Sequence, residues 1–119
     1  DGDWTSAGVL FRSPERSVGR PVRFDGVAQR TREHDGVTTM EVMFDMVGRQ
    51  RIDVTLPGVA DDRVVDGAEV VVYGTSIGHH TYDSATMGEL IVPEVVAMFV
   101  VPQEGRDETG RLLRRMRRR

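Results

Sequence analysis

Apolar and polar residues alternate along most of the chain with the period of two that β-strands require. Segment 20–31 begins this pattern, and Gly26 interrupts it, as expected at a bulge or coiling point in the long first strand of a small barrel. Residues 33–36, Glu-His-Asp-Gly, predict a hairpin turn, because Asp-Gly tolerates the positive φ angles of tight turns. Segment 37–47 predicts the second strand. Its expected inward face carries Met40, Val42, Phe44 and Met46.

A third strand is predicted at 51–56, where apolar residues again occupy every second position. Pro57 ends it, and residues 57–66 predict a connector that holds one helical turn. Asp61-Asp62 would lie near the start of this turn, where negative charge complements the helix dipole. Val64-Val65 would face inward.

The fourth strand is predicted at 68–75. Its unbroken run Val70-Val71-Val72-Tyr73 is typical of a strand covered on both faces. Residues 76–89 are rich in Gly, Ser and Thr and predict a long polar loop. Segment 90–101 then predicts the fifth strand.

Three strands, a connector and two more strands predict an all-β fold, a small five-stranded OB-type barrel. An SH3-like barrel is the alternative, but the chain length and the connector after the third strand favour the OB type. The predicted organisation is an irregular N-terminal arm at 1–19, the barrel at 20–102, and a polar linker with an Arg-rich tail at 103–119. The tail has room for a helix of two or three turns at most.

Charge divides the chain into an acidic body and a basic end. Residues 1–110 hold all 19 acidic residues and ten arginines, a net charge of −9, whereas residues 111–119 carry +6. No cysteine is present, which excludes disulfides, thiolate metal sites and a cysteine nucleophile. Neither Lys nor Asn, which have AT-rich codons, is used, and this favours a high-GC bacterial genome.

Two segments resemble the periplasmic heme chaperones of cytochrome c maturation, which are OB-fold proteins. Segment 18–27 looks like a bacterial OB first strand. Segment 57–62 followed by 66–74, Asp-Gly-Ala-Glu-Val-Val-Val-Tyr-Gly, is similar to the connector and fourth strand of that family. The resemblance implies the barrel and a periplasmic or membrane-peripheral location. The family attaches heme through a His after the fifth strand, within His-x-x-x-Tyr, but residues 96–101 contain neither His nor Tyr. Covalent heme attachment is therefore not expected.

His79 and His80 are the only cluster with metal or heme chemistry, and both are weak candidates. Adjacent residues on an extended strand point to opposite sides, which hinders joint chelation of one ion. The alternative is a polar loop with two solvated imidazoles. No resident cofactor is expected, and heme is the one cofactor considered.

No residue pattern predicts an enzyme. The carboxylates form no evident acid–base pair, and Ser76 and Ser84, on either side of the two histidines, do not define a triad. The glycines form neither a phosphate-binding loop nor a dinucleotide-binding motif.

Partner contacts are predicted at both ends of the chain. The N-terminal candidates are Trp4 and Phe11, in an arm that would cover one mouth of the barrel or touch a membrane. A basic segment with Leu112, Leu113 and Met116 on one side suits an acidic protein surface, an anionic membrane or a nucleic acid. The tail candidates are Arg111, Leu112, Arg114, Arg115, Arg117, Arg118 and Arg119.

Three functions follow from these patterns. The favoured one is a non-catalytic module, an accessory subunit that docks on a larger protein complex and has no evident small-molecule substrate. The alternatives are a heme- or metal-handling protein and an OB protein that binds nucleic acid through its tail. The arginines predicted on the sheet face are matched by acidic residues, so the barrel itself is not expected to bind nucleic acid. These charges are Arg23, Arg49 and Arg51 against Asp25, Glu41 and Asp53.

Overall fold

The computed structural model describes residues 4–44 and 50–103 of the chain. Within these residues the regular elements are α1 (Ala7–Arg12), β1 (Pro21–His34), β2 (Val37–Met43), β3 (Arg51–Leu56), β4 (Glu69–Ser84) and β5 (Gly88–Pro102). The strands close into a barrel in the order β1-β2-β3-β5-β4. Neighbouring strands are antiparallel, except that β3 and β5 are parallel. This topology confirms the predicted five-stranded OB-type barrel.

Alternate side chains of every strand point inward and fill the barrel. Met40 and Val42 are buried as predicted, Phe44 is half-buried against the core, and Met46 lies outside the described residues. Val71 is buried on the outer face while its neighbours are buried inside, so this part of β4 is covered on both faces as predicted. The strand residues of the core are Val22, Phe24, Ala28, Met40, Val42, Ile52, Val54, Leu56, Val70, Val72, Val95, Ala97 and Val100.

The long first strand serves both of its neighbours. It pairs with β4 from Pro21 to Val27 and with β2 from Val27 onward. Gly26 lies at this change of partner, where a Cβ atom would come within 2.6 Å of the carbonyl oxygen of Met43. The change in register lies further along, between Gln29 and Arg32. Glycine is thus required at position 26 because the backbone of β2 lies so close to it. The bulge predicted at Gly26 lies instead at the later change in register.

The connector between β3 and β4 contains turns and no helix, which corrects the predicted helical turn. Asp61 organises the first turn: its side chain accepts a hydrogen bond from the backbone N–H of Arg63 at 2.9 Å and pairs with the guanidinium. These bonds lower the pKa of Asp61 to about 2. Val64 is buried but Val65 is exposed, so only one of the two side chains predicted to face inward does so.

The predicted loop at 76–89 is wrong, because these residues continue β4 and begin β5, with a turn between the two strands. Residues 77–93 form a two-stranded hairpin, here called the arm. Pairing runs without interruption from Gly78 opposite Glu94 to Ser84 opposite Gly88. Within the described residues no third strand pairs with the arm. Exposed and half-buried residues make up most of the arm, so its sequence is similar to that of a loop, although Val92 and Pro93 at its base are buried.

The N-terminal segment, predicted to be irregular, contains α1, a helix that the sequence pattern did not indicate. The Ser6 side chain caps it by accepting a hydrogen bond from the backbone N–H of Val9. Leu10 is fully buried in the barrel core, and Thr5 forms a parallel bridge with Val22. The helix thus covers one end of the barrel. In the described part of the chain, no helix is long and apolar enough to cross a membrane.

Gly74 is the position where the barrel tolerates a side chain least. A Cβ atom there would lie 2.3 Å from the carbonyl oxygen of Val96 and 2.8 Å from Cα of Ala97, both backbone atoms. We expect Gly74→Ala to lower the free energy of unfolding by about 2 to 3 kcal/mol, measured by urea denaturation.

Gly8→Ala, in α1, is the control for this substitution. A Cβ atom at Gly8 makes only ordinary contacts, 3.7 Å from Arg12 and 3.9 Å from Ser6. This change should leave stability unaltered or raise it by up to about 1 kcal/mol. Equal midpoints for Gly74→Ala and the parent protein would contradict the proposed backbone contact.

Candidate functional site

A groove of about 480 Å³ crosses the outer face of the barrel where β2, β3 and β5 are neighbours. Arg30 and Arg32 of β1 form one rim, and Ile77, at the start of the arm, forms the other. The floor has mixed polarity and includes three carboxylates. The lining residues are Arg30, Arg32, Thr39, Met40, Glu41, Asp53, Val54, Thr55, Ile77, Glu94 and Val95.

Three carboxylates lie side by side across this floor. Glu41 of β2 is in register with Asp53 of β3, which is in register with Glu94 of β5. Neighbouring strands are about 4.8 Å apart, so outward side chains in register are close neighbours. We call these residues the carboxylate row. Alternation along the chain predicts that each faces outward, but only the register places them together.

Three basic side chains approach the carboxylate row: two arginines, described here, and a histidine, described below. Arg30 Nη1 lies 3.8 Å from Glu41 Oε2, and Arg51 Nε lies 3.5 Å from Asp53 Oδ1. Of the predicted pairings of Arg23, Arg49 and Arg51, the pair of Arg51 with Asp53 is present, and Glu41 pairs with Arg30 instead. Arg23 lies over the ring of Tyr73, and Arg49 lies outside the described residues.

His80 connects the arm to the carboxylate row. Its Nδ1 lies 2.6 Å from Glu94 Oε2, within hydrogen-bonding distance, and its Nε2 lies 3.6 Å from Asp53 Oδ2. The ring of Tyr82, two residues further along the arm, packs against the guanidinium of Arg51, 4.8 Å from its centroid. The arm is therefore held to β3 by polar and cation–π contacts.

Asp53, in the middle of the row, has the most perturbed environment. Burial raises its pKa, and the nearby Glu41 and Glu94 add to this, whereas Arg51 and His80 act in the opposite direction. Asp53 Oδ1 and Arg51 Nε are both buried, and neither has a hydrogen-bond partner within the described residues. The charge of Asp53 is thus only partly compensated.

The histidine candidates do not converge on one ligand. His79 is half-buried opposite Pro93, His80 is held by carboxylates, and His34 lies in a hairpin turn 3.3 Å from Asp35. In the part of the chain that the structure describes, no group of three or more His, Asp or Glu side chains is arranged to hold a metal ion. The two histidines lie on strand β4 and not in the polar loop that the sequence predicted.

The partner-binding candidates fall into two groups. Trp4 packs edge-on against Tyr73 with ring centroids 5.6 Å apart, and Phe11 packs in the same way against Phe44 at 5.7 Å. Both aromatic rings thus pack on the barrel. The tail candidates, Arg111 to Arg119, lie outside the described residues.

A second surface lies where β1, β4 and β5 are neighbours. Met98, Phe99 and Val101 of β5 are exposed there, beside Tyr73 and Trp4. We call these five residues the apolar strip. The sequence signal was the run 96–101, which has no polar residue where an alternating strand would have three.

The raised pKa of Asp53 makes a prediction about pH. A carboxyl with a raised folded-state pKa stabilises the fold fully below its unfolded-state pKa, and this contribution is lost as pH rises through the folded-state value. We therefore expect the free energy of unfolding of the parent protein, minus that of Asp53→Asn, to fall as pH rises from about 3.8. Urea denaturation of both proteins at a series of pH values measures this difference.

Asp83→Asn, at an exposed position of the arm, controls for the loss of one negative charge. A difference between the parent protein and Asp53→Asn that rises with pH would show that Arg51 and His80 outweigh burial.

Comparison with known proteins identifies the fold. No protein-family model matches this chain, and no curated protein sequence matches it either. Among solved structures, OBody AM3L09 bound to hen egg-white lysozyme is 15% identical with a TM-score of 0.56, over 86% of this chain and 95% of the OBody. An aspartyl-tRNA synthetase from Leishmania major Friedlin gives the same identity and TM-score over 82% of this chain.

This chain spans only about a fifth, 20%, of the synthetase. The mitochondrial single-stranded DNA binding protein Rim1 of S. cerevisiae is 11% identical with a TM-score of 0.46, over 71% of this chain and 92% of Rim1. At such identities the likeness concerns the fold alone, and the resemblance to heme chaperones stays a prediction. The chain has the OB fold.

Proposed function

We propose that this protein is a non-catalytic binding module, an accessory subunit that docks on a larger protein complex. Its groove would hold an extended segment of the partner that carries Arg or Lys side chains. The observation that supports this proposal is the carboxylate row, Glu41, Asp53 and Glu94, in register across the floor of the groove.

The geometry of the row suits a guanidinium group. Neighbouring strands are about 4.8 Å apart, and a guanidinium presents five N–H donors in a rigid plane. One arginine of a partner can therefore donate to two adjacent carboxylates. Arg30, whose side chain is 73% exposed, now pairs with Glu41 at 3.8 Å and is the group that such a ligand would displace.

Other lining residues suit a peptide backbone. The exposed Thr39 and the half-buried Thr55 present hydroxyl groups beside the carboxylates, and hydroxyls both donate to and accept from peptide groups. Ile77 provides an apolar contact on the rim. A phosphodiester backbone would instead meet three carboxylates in the floor, and like charges at such distances repel.

The surroundings of His80 support a non-catalytic role. A catalytic base has to reach a substrate proton or an adjacent nucleophile. His80 is held between Glu94 and Asp53, at 2.6 and 3.6 Å. Ser76 is buried, and the hydroxyl of Ser84 accepts hydrogen bonds in the turn of the arm, so neither serine is placed to act with it.

We expect a fluorescein-labelled peptide of alternating Gly and Arg to bind in an anisotropy titration at low salt. Glu94→Gln should weaken this binding about fivefold, because a partly exposed ion pair contributes up to about 1 kcal/mol.

Glu89→Gln is the matched control, since it removes the same charge from an exposed position of the same strand. Far-UV circular dichroism checks that both variants fold. Equal weakening by the two substitutions would indicate a general charge effect and contradict binding in the groove.

Nucleic-acid binding is a second candidate, favoured by the six arginines at 111–119 and the exposed Arg30 and Arg32. Rim1 and the synthetase are named for nucleic-acid ligands, single-stranded DNA and tRNA respectively. If the tail binds phosphates, the affinity for labelled oligo-dT should fall steeply with salt, by about 0.7 log units per contact for each tenfold rise. An anisotropy titration measures this dependence.

Replacing the six tail arginines by Gln should abolish oligo-dT binding, whereas Glu94→Gln should leave it unchanged or strengthen it. Absence of binding by the parent protein at low salt would eliminate this candidate.

A further inference from the structure

We infer that residues 111–119 pack on the apolar strip of their own barrel and cover it in the isolated protein. This inference goes beyond the proposed function, because the strip consists of Trp4 and residues of β4 and β5, none of which lines the groove. The tail would thus bind to a surface of its own chain.

The strip exposes more apolar surface than its neighbours on the sheet. Phe99 is 61% exposed, Met98 59% and Val101 46%. The cause is a change in register: Tyr73 is opposite Phe99 and Gly74 is opposite Ala97, so Met98 has no partner and adds an outward side chain. Contiguous exposed apolar residues of this kind usually mark an interaction surface.

The strip also lies at an open edge of the sheet. Parallel pairing between β3 and β5 ends with Thr55 opposite Val96. Beyond Val96, within the described residues, only β4 pairs with β5. An uncovered apolar edge promotes association between molecules, and proteins usually cover or charge such edges.

The tail is attached within reach of the strip. The backbone N–H of Gln103 donates to the carbonyl of Glu69 at 2.7 Å, and Gln103 Nε2 donates to Asp25 Oδ2 at 3.3 Å, so the chain leaves the barrel at a fixed point. Phe99 lies four residues before Gln103, about 13 Å along the strand. Arg111 lies eight residues after it, so it is at most about 28 Å away.

The chemistry of the two surfaces is complementary. Leu112, Leu113 and Met116 supply apolar side chains at 111–119, and the six arginines among them are attracted to acidic groups. Asp25, in register with Val71, and Glu69, beside Gln103, lie at the edge of the strip. The body of −9 attracts the +6 segment in general, and the two carboxylates at the edge of the strip outnumber the one cation on it, Arg23, which lies over Tyr73.

The test compares the full chain with its variant Leu112→Ser, Leu113→Ser, Met116→Ser. If the tail covers the strip, the variant should increase the emission of the dye ANS severalfold and make Trp4 more accessible to acrylamide. Trp4 is the only tryptophan and contacts Tyr73, so its emission reports on this surface. The comparison variant, Arg117→Gln, Arg118→Gln, Arg119→Gln, keeps the three apolar residues and halves the charge of the tail, so it should raise ANS emission clearly less than the triple-serine variant.

A second variant locates the contact. In a Phe99→Ser background, the serine substitutions in the tail should produce a much smaller increase in ANS emission. Equal emission from the full chain and the triple-serine variant would overturn the inference. The inference would also be overturned if light scattering showed a dimer and the difference in ANS emission disappeared together with this dimer on dilution. In that case a second copy of the chain, and not the tail, would cover the strip.

Discussion

The parallel pairing of β3 with β5 determines the rest of this structure. Three residue pairs make it, Asp53 to Thr55 opposite Glu94 to Val96, and they close the barrel. The same three pairs place the carboxylates of Asp53 and Glu94 side by side and so create the floor of the groove. Because the pairing is short, both ends of β5 are released from β3. The preceding half forms the arm, and the following half forms the open edge of the apolar strip.

The groove illustrates how a sheet surface tolerates like charges in register. Directly opposed like charges destabilise a sheet, and the carboxylate row contains three of them. Arg30, Arg51 and His80 approach from three different strands and offset this repulsion. The side chains of these contacts stay partly exposed, so solvent reaches the groove and screens its charges. The two arginines and three carboxylates that line the groove differ by one charge, and Arg51, beside Asp53, offsets this difference.

Much of the fold could be predicted because its strands follow simple rules. Alternation identified β2 and β3, and the β-branched run identified the part of β4 that is covered on both faces. The first strand of the arm was missed because residues 77–84 are all exposed or half-buried, so they produce no buried apolar alternation. The connector was misjudged because Asp61 can cap either a helix or an isolated turn, and the sequence does not distinguish them.

The candidate site was harder to predict, since it depends on register rather than on spacing along the chain. Glu41, Asp53 and Glu94 are far apart in the sequence, and a shift of one residue in any strand would remove one of them from the row. The strip depends on the register change beside Gly74, which no residue pattern announced. Conversely, His79 and His80 are adjacent in the sequence, but their imidazole side chains point to opposite sides of a strand.

The parallel pairing also determines when the barrel can close during folding. Four strands precede β5, and none of them can close the barrel alone, since residues 53–55 must wait for residues 94–96. Joining segments so distant costs loop entropy before any contact compensates for it. Without β5, the pairs among the first four strands give an open sheet in which β3 has only β2 beside it. We expect this barrel to fold slowly for its size and to require its fifth strand before it resists proteases.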